Sequence, residues 1–199
     1  MRADAIAPIQ NKIGAFLANP TLYRILTVPE QPINIRRIMD EGKILLVNLA
    51  KGQIGEDASS LLGGLLVTTI GLAAFSRQEI DATSRRPFYC YLDEFQNFTT
   101  LSMANMFSEL RKFRVGMIVV HQYLYQLDPA VQYAVLGNTG TLISFRLGPK
   151  DASFIGMEFQ EKFTPLDLMN LPNYHIYLKL MIDGTPSIPF SGETLATHS

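Results

Sequence analysis

Cysteine is almost missing from this chain. Cys90 is its only one, so no disulfide can form within it. Nor does any group of Cys and His residues have the spacing of a zinc site. A charge excess is missing too: the formal net charge is −1 and the pI is about 6.3. That balance excludes a surface that holds nucleic acid by overall charge, though not a local basic loop or a channel built by several subunits. The first residues, Met-Arg-Ala-Asp-Ala-Ile, lack the continuous apolar core of a signal peptide. Internal repeats and low-complexity tracts are absent. So is the phosphate loop G-x-x-x-x-G-K-[ST]. The nearest stretch is Ala50-Lys51-Gly52-Gln53-Ile54-Gly55, but Glu56 and Asp57 follow it where lysine and a hydroxyl are needed. Two acids there suit a helix N-terminus and would repel phosphate. Gly148-Pro149-Lys150-Asp151 lacks both the spacing and the hydroxyl.

Length and composition fit one ordinary globular core, with room for an appendage. One uncharged run, Ala58 to Ser76, approaches the ~20 apolar residues that span a bilayer. Ser59, Ser60, Gly63, Gly64, Thr68 and Thr69 dilute it, and it lies between two apparent strands. The expectation is therefore a crossover helix packed in an α/β core.

The most informative stretch is Pro87 to Phe98. Phe88 to Leu92 is wholly apolar or aromatic, as in a strand buried on both faces, and Cys90 within it reads as a small core residue. Asp93 and Glu94 follow at once. Ligands of open α/β sheets bind just beyond the carboxyl ends of the strands, so two acids stand where chemistry is usually done. This is the Walker B pattern: the first acid holds Mg²⁺ and the second orients or deprotonates an attacking water. A plain strand end that caps the next helix would read the same way.

The remaining pattern alternates. Met1 to Leu26 reads as amphipathic helix, interrupted at Asn19-Pro20. A two-proline linker, Val28 to Pro32, and a short helix capped by Asn34 follow, the helix ending near Gly42. Lys43 to Leu49 reads as a strand. A helix from Leu101 to Lys112 ends in the basic run Arg111-Lys112-Phe113-Arg114, which suits either the helix dipole or contact with nucleotide or DNA. Val115 to Val120 is the next strand and runs into His121-Gln122. A polar side chain there suits a γ-phosphate sensor, or equally an amide that satisfies loop backbone. A helix near Ala130 to Leu136 precedes the strand Thr141 to Leu147, where Arg146 would need a partner if buried. Asp151 is a candidate cap for a helix through Met157, and Thr164-Pro165 opens another. Tyr174 to Ile182 and Thr185 to Phe190 flank Asp183-Gly184, a hairpin signal. The residues from Ser191 onward read as frayed. Helix–strand alternation closed by a hairpin predicts a mostly parallel α/β sheet with an antiparallel edge.

Several of these motifs together resemble the HerA/FtsK-type hexameric ATPases, and most of all the TraG/TraD-type coupling ATPases of conjugation and type IV secretion. The resemblance rests on Gly42 to Gly52 with Ile54 to Asp57, on Tyr91 to Phe98, on Glu109 to Phe113, on His121-Gln122-Tyr123 with Gln126-Leu127, and on Gly137 to Thr141 running to Phe145-Arg146. It implies a RecA-like P-loop NTPase fold, a partial three-layer sandwich. Residues 1–40 would be the tail of a helical insert, and 41–199 the C-terminal half of the ATPase domain. It further implies Asp93 as the Mg²⁺ carboxylate, Glu94 as the catalytic one and Gln122 as the γ-phosphate sensor. The trans arginine would come from Arg146, Arg111 or Arg114, with Arg146 the first candidate. ATP and Mg²⁺ would be the cofactors, both needing a phosphate loop that lies upstream in the family. The chain then reads as a fragment of a longer motor or a split subunit, inactive alone. Its setting would be a homo-oligomeric ring, a hexamer, that moves DNA and meets secretion-channel or relaxosome proteins. The place would be the cytoplasm, at the inner membrane face through parts outside this chain. The alternative is a non-catalytic subunit or scaffold that keeps the fold without hydrolysis.

Overall fold

The structure, a computed structural model, describes residues 14, 17–27, 33–160 and 162–196. In chain order the elements are α1 (Pro20–Thr27), α2 (Ile35–Glu41), α3 (Lys51–Ile54), α4 (Glu56–Phe75), β1 (Phe88–Leu92), α5 (Leu101–Glu109), β2 (Val115–Val119), α6 (Pro129–Asn138), β3 (Leu142–Ser144), α7 (Pro149–Glu158), α8 (Pro165–Met169), β4 (His175–Lys179), β5 (Met181–Ile182), β6 (Thr185–Pro186) and β7 (Phe190–Glu193). They form two compact units. The first comprises residues 1–100 and 109–120, the second residues 101–108 and 121–199. The expected helix over Ile6, Ile9 and Ile13, the linker Val28 to Pro32 and the last three residues lie outside the described residues.

In the first unit the local signals act as expected. The Asn34 side chain accepts the Arg37 N–H at 2.9 Å and starts α2, which ends on Gly42 in the left-handed conformation. Glu56 and Asp57 occupy the first turn of α4. The unit carries a parallel pair, β1 and β2, in the register Phe88 opposite Val115 through Leu92 opposite Val119. β1 is not buried on both faces as expected: Cys90 is buried, but Tyr89 and Tyr91 on the other face are exposed. The uncharged run forms α4, as expected. By length and composition this helix could cross a bilayer. It is apolar all round, and its buried positions are mostly small: Ala58, Ser59, Gly63, Gly64, Val67, Ile70, Gly71, Ala73 and Ala74. Gly63 has a steric reason, since a Cβ there would sit 2.1 Å from the Phe98 ring. Cys90 is buried, and burial pushes its thiol pKa up to about 11.

One expectation fails. Lys43 to Leu49 joins no ladder among the described residues. Its ends are tethered elsewhere: the Lys43 N–H donates to the Ile38 carbonyl at 2.9 Å, and the Ser59 hydroxyl donates to the Leu49 carbonyl at 2.7 Å. Between these ties the segment stands off from β1 across a cavity of about 780 Å³, leaving Ile44 88% and Leu46 90% exposed. Strand pairing needs backbones about 4.8 Å apart, so the apolar pattern is present without its ladder.

The first unit also contains a charge that the sequence pattern hid. Arg77 is fully buried. Its guanidinium donates to the Phe113 carbonyl at 2.9 Å and the Arg86 carbonyl at 2.6 Å. Its Nε lies 3.0 Å from Asp40 Oδ1, an ionic contact out of line for a hydrogen bond. Burial lowers the Arg77 pKa, and Asp40 opposes that shift. One side chain thus ties α2 to the lead-in of β1 and the lead-in of β2.

The second unit carries an antiparallel sheet in the order β3-β4-β7 and the separate hairpin β5–β6. Asp183 and Gly184, with φ of 49° and 80°, make the expected turn. The strand expected over Thr141 to Leu147 is confined to Leu142–Ser144, so Arg146 is an exposed loop residue and needs no buried partner. The tail expected to fray pairs instead, with β7 lying along β4. Thr164 and Asp167 form a capping box at α8. Asp151 departs from its expected role. Gly148 occupies the cap of α7, and the buried Asp151 carboxylate accepts the N–H groups of Leu124 at 3.0 Å and Tyr125 at 3.1 Å. It therefore caps the loop after β2.

Replacing Arg77 by Met should destabilise the chain by about 3 kcal/mol or more, because it leaves two part-buried carbonyls and Asp40 without their cation. Urea unfolding followed by circular dichroism measures this. A loss under about 1 kcal/mol would show that the pair does not anchor the unit.

Candidate active site

The parallel pair continues past its strands. Val120 N–H donates to the Leu92 carbonyl and Phe95 N–H donates to the Val120 carbonyl, both at 2.9 Å. These bonds pin the residues between Leu92 and Phe95 to the carboxyl end of the sheet. Asp93 and Glu94 occupy that gap, at the strand end expected for them. Phe95, fully buried, anchors the far side of the turn.

Within the turn, the Asp93 Oδ1 accepts the Glu94 N–H at 3.0 Å. Glu94 has φ 51° and ψ 43°, a left-handed conformation that costs a residue with a Cβ roughly 1 kcal/mol or more. Asn97 N–H closes the turn on the Glu94 carbonyl at 2.9 Å. The Gln96 side-chain amide donates to Glu94 Oε2 at 2.6 Å. Lys51 reaches in from α3, its ammonium 2.8 Å from Asn97 Oδ1 and 3.1 Å from Glu56 Oε1. Lys51, Asp93, Glu94 and Asn97 line one end of the 780 Å³ cavity.

The donor set can be tested against a magnesium ion. Among the described residues no group of three or more His, Cys, Asp or Glu could hold a metal. Mg²⁺ does not require such a cage, since it is usually held by one or two carboxylates with waters and phosphates. Asp93 is exposed, and in the same turn Gln96 Oε1 is buried without a hydrogen-bond partner. An exposed carboxylate and an unsatisfied amide oxygen fit a hydrated hard cation.

The other sequence candidates lie elsewhere. Gln122 is exposed in the turn that follows β2 and belongs to the second unit, as does Arg146. Next to Gln122, His121 is partly buried, which lowers its pKa against the pull of Asp151. Arg111 is exposed, and Arg114, with φ 56°, donates to the Arg85 carbonyl at 3.1 Å. Sequence reasoning missed the roles of Gln96, Lys51 and Asn97. Lys51 was visible as the cation of a loop that fails the phosphate pattern, but its partner in the acid turn is 46 residues away.

No protein-family model matches the sequence, and none of the curated proteins matches it. Solved structures do. The unbound bacterial conjugative coupling protein TrwBdeltaN70 superposes with a TM-score of 0.65 at 18% identity, over 81% of this chain and 43% of that one. Plasmid coupling protein TrwB with a non-hydrolysable GTP analogue gives 0.62 at 17%, over 86% and 46%. The genome packaging NTPase B204 of Sulfolobus turreted icosahedral virus 2, in complex with AMPPCP, gives 0.52 at 15%, over 83% and 73%. The chain has a RecA-like P-loop ATPase fold. It spans less than half the length of the TrwB chains it matches. In a RecA-like sheet, acids at the carboxyl end of a parallel strand stand on the nucleotide-binding side. At these identities the likeness is one of fold.

Glu94→Ala and Glu94→Gly both delete the carboxylate, but only glycine relieves the left-handed backbone. The glycine variant should be the more stable by about 1 kcal/mol in urea unfolding. Equal stabilities would show that the turn is unstrained.

Proposed function

We propose that this chain is the Walker B half of a hexameric, ATP-driven DNA translocase of the conjugative coupling type. The observation that carries the reading is the strained Asp93–Glu94 turn at the carboxyl end of a parallel strand. A residue held in a rare backbone conformation persists only where its surroundings over-determine it, and such residues cluster at active sites. The fold neighbours support the class: two are structures of the coupling protein TrwB, one of them with a GTP analogue bound, and one is a genome packaging NTPase bound to an ATP analogue.

In this reading Asp93 would hold the water shell of Mg²⁺, which would supply charge neutralisation on the phosphates. Glu94 would accept the proton of the attacking water, with its carboxylate steered by the Gln96 amide. Gln122 would report on the γ-phosphate. Arg146, exposed after β3, remains the first candidate to reach a neighbouring subunit, with Arg111 and Arg114 as the others. The phosphate loop would come from polypeptide outside this sequence. DNA in the ring, secretion-channel or relaxosome proteins and a place at the cytoplasmic membrane face belong to the same proposal.

In the complete ATPase, Glu94→Gln should retain nucleotide binding and lower turnover by at least ~10²-fold, since the amide cannot accept a proton. Asp93→Ala should weaken both binding and turnover. Arg146→Ala should slow turnover by roughly 10³-fold with binding kept. The chain alone should release no phosphate from ATP. Nucleotide affinity and steady-state phosphate release measure all four, and wild-type turnover by Glu94→Gln would remove the catalytic assignment.

A further inference from the structure

We propose that Lys51 is a positioning residue for Glu94, acting through Asn97. The inference rests on the catalytic reading of Glu94 given above, and its geometry lies wholly within the first unit. A continuous path of bonds runs from α4 to the acid. Glu56 Oε1 lies 3.1 Å from the Lys51 ammonium. That ammonium donates to Asn97 Oδ1 at 2.8 Å. The Asn97 N–H then donates to the carbonyl of Glu94 at 2.9 Å. Glu94 is the residue at φ 51°, so the path ends on the backbone that most needs holding.

Other ties of the turn come from the sheet and from the turn itself. Phe95 N–H is held by Val120, Asp93 accepts the Glu94 N–H, and Gln96 grips the Glu94 carboxylate. Lys51 adds a tie from a different element. It matters because Asn97 is a short lever: its side chain is gripped by Lys51 while its backbone closes the turn. A charged donor makes this the stronger kind of hydrogen bond. The Lys51–Glu56 contact is more exposed, with 40% and 75% of the side chains open to solvent. It contributes little energy and serves mainly to aim the ammonium. Gly55, with φ 87°, separates α3 from α4 and turns Lys51 back toward Glu56 and the acid turn.

A positioning tie should act on the chemical step. Slackening it leaves the groups present but spreads their orientations, and rate depends steeply on orientation. It should also tolerate any substitution that keeps a cation at position 51 and an acceptor at 97. A merely structural contact would tolerate the same substitutions but would leave kcat unchanged.

The test has two arms. On this full chain, hydrogen exchange of the amides from Glu94 to Phe98 should speed up about 5- to 10-fold in Lys51→Met and in Asn97→Leu. The double variant should add nothing further, because the two residues form one tie. Lys51→Arg and Asn97→Asp should exchange at the wild-type rate or slower. In the complete ATPase, Lys51→Met should lower kcat at least 10-fold with nucleotide KM within twofold, and Lys51→Arg should recover most of it. Unchanged exchange in Lys51→Met overturns the proposal. So does a wild-type kcat for Lys51→Met when Glu94→Gln is inactive. If Glu94→Gln itself turns over normally, the catalytic reading has failed, and the exchange arm still decides whether Lys51 holds the turn.

Discussion

The parallel ladder between β1 and β2 is the constraint on which the candidate site depends. Five residue pairs set the register, and the bonds from Val120 to Leu92 and from Phe95 to Val120 carry it beyond the strands. Because the ladder runs past the acids on both sides, Asp93 and Glu94 cannot pair as strand and must turn. Glu94 takes up that turn in a left-handed conformation, the point of highest backbone cost in the site. Energy invested by the sheet is thus spent at the two acids.

A buried charge serves the same end from the other side of the unit. Arg77 gathers the carbonyls of Arg86 and Phe113, which lie just before β1 and β2. Holding both lead-ins with one planar, always-charged group limits slippage of one strand past the other. A slip of one residue in this ladder would reverse the faces of every side chain in β1 and displace the acid turn. The carbonyls that Arg77 satisfies at the amino ends and the turn at the carboxyl ends are therefore parts of one register.

The likeness to TrwB and to a packaging NTPase gives this local arrangement a setting. RecA-like sheets gather nucleotide-binding groups at the carboxyl ends of their strands, and a P-loop site is made of pieces distant in sequence. In the proposed function the acid turn is one such piece. On the same proposal, the Lys51–Asn97 tie lets a loop without the phosphate pattern serve that site, the lysine steadying a carboxylate turn without touching a phosphate.

Much of this was legible in the sequence, wherever the cause is local. The apolar run before Asp93 determined a strand and the place of the acids, but not its burial, since Tyr89 and Tyr91 stand exposed on one face. Asn34 with Gly42, Thr164 with Asp167, and Asp183-Gly184 determined helix ends and a turn through bonds spanning only a few residues. Tertiary structure decided the rest. Lys43 to Leu49 carries a strand pattern, yet a strand exists only when a neighbour shares its hydrogen bonds, and no neighbour among the described residues does. Arg77 sits among polar neighbours in sequence, so its burial follows only from where α2 and the two strand lead-ins meet. Asp151 reads as a helix cap, but the loop after β2 takes its carboxylate. The grip of Lys51 on Asn97 joins residues 46 apart. Local bonds can be read from neighbouring residues, whereas these contacts depend on how the chain returns upon itself, which no window of sequence contains.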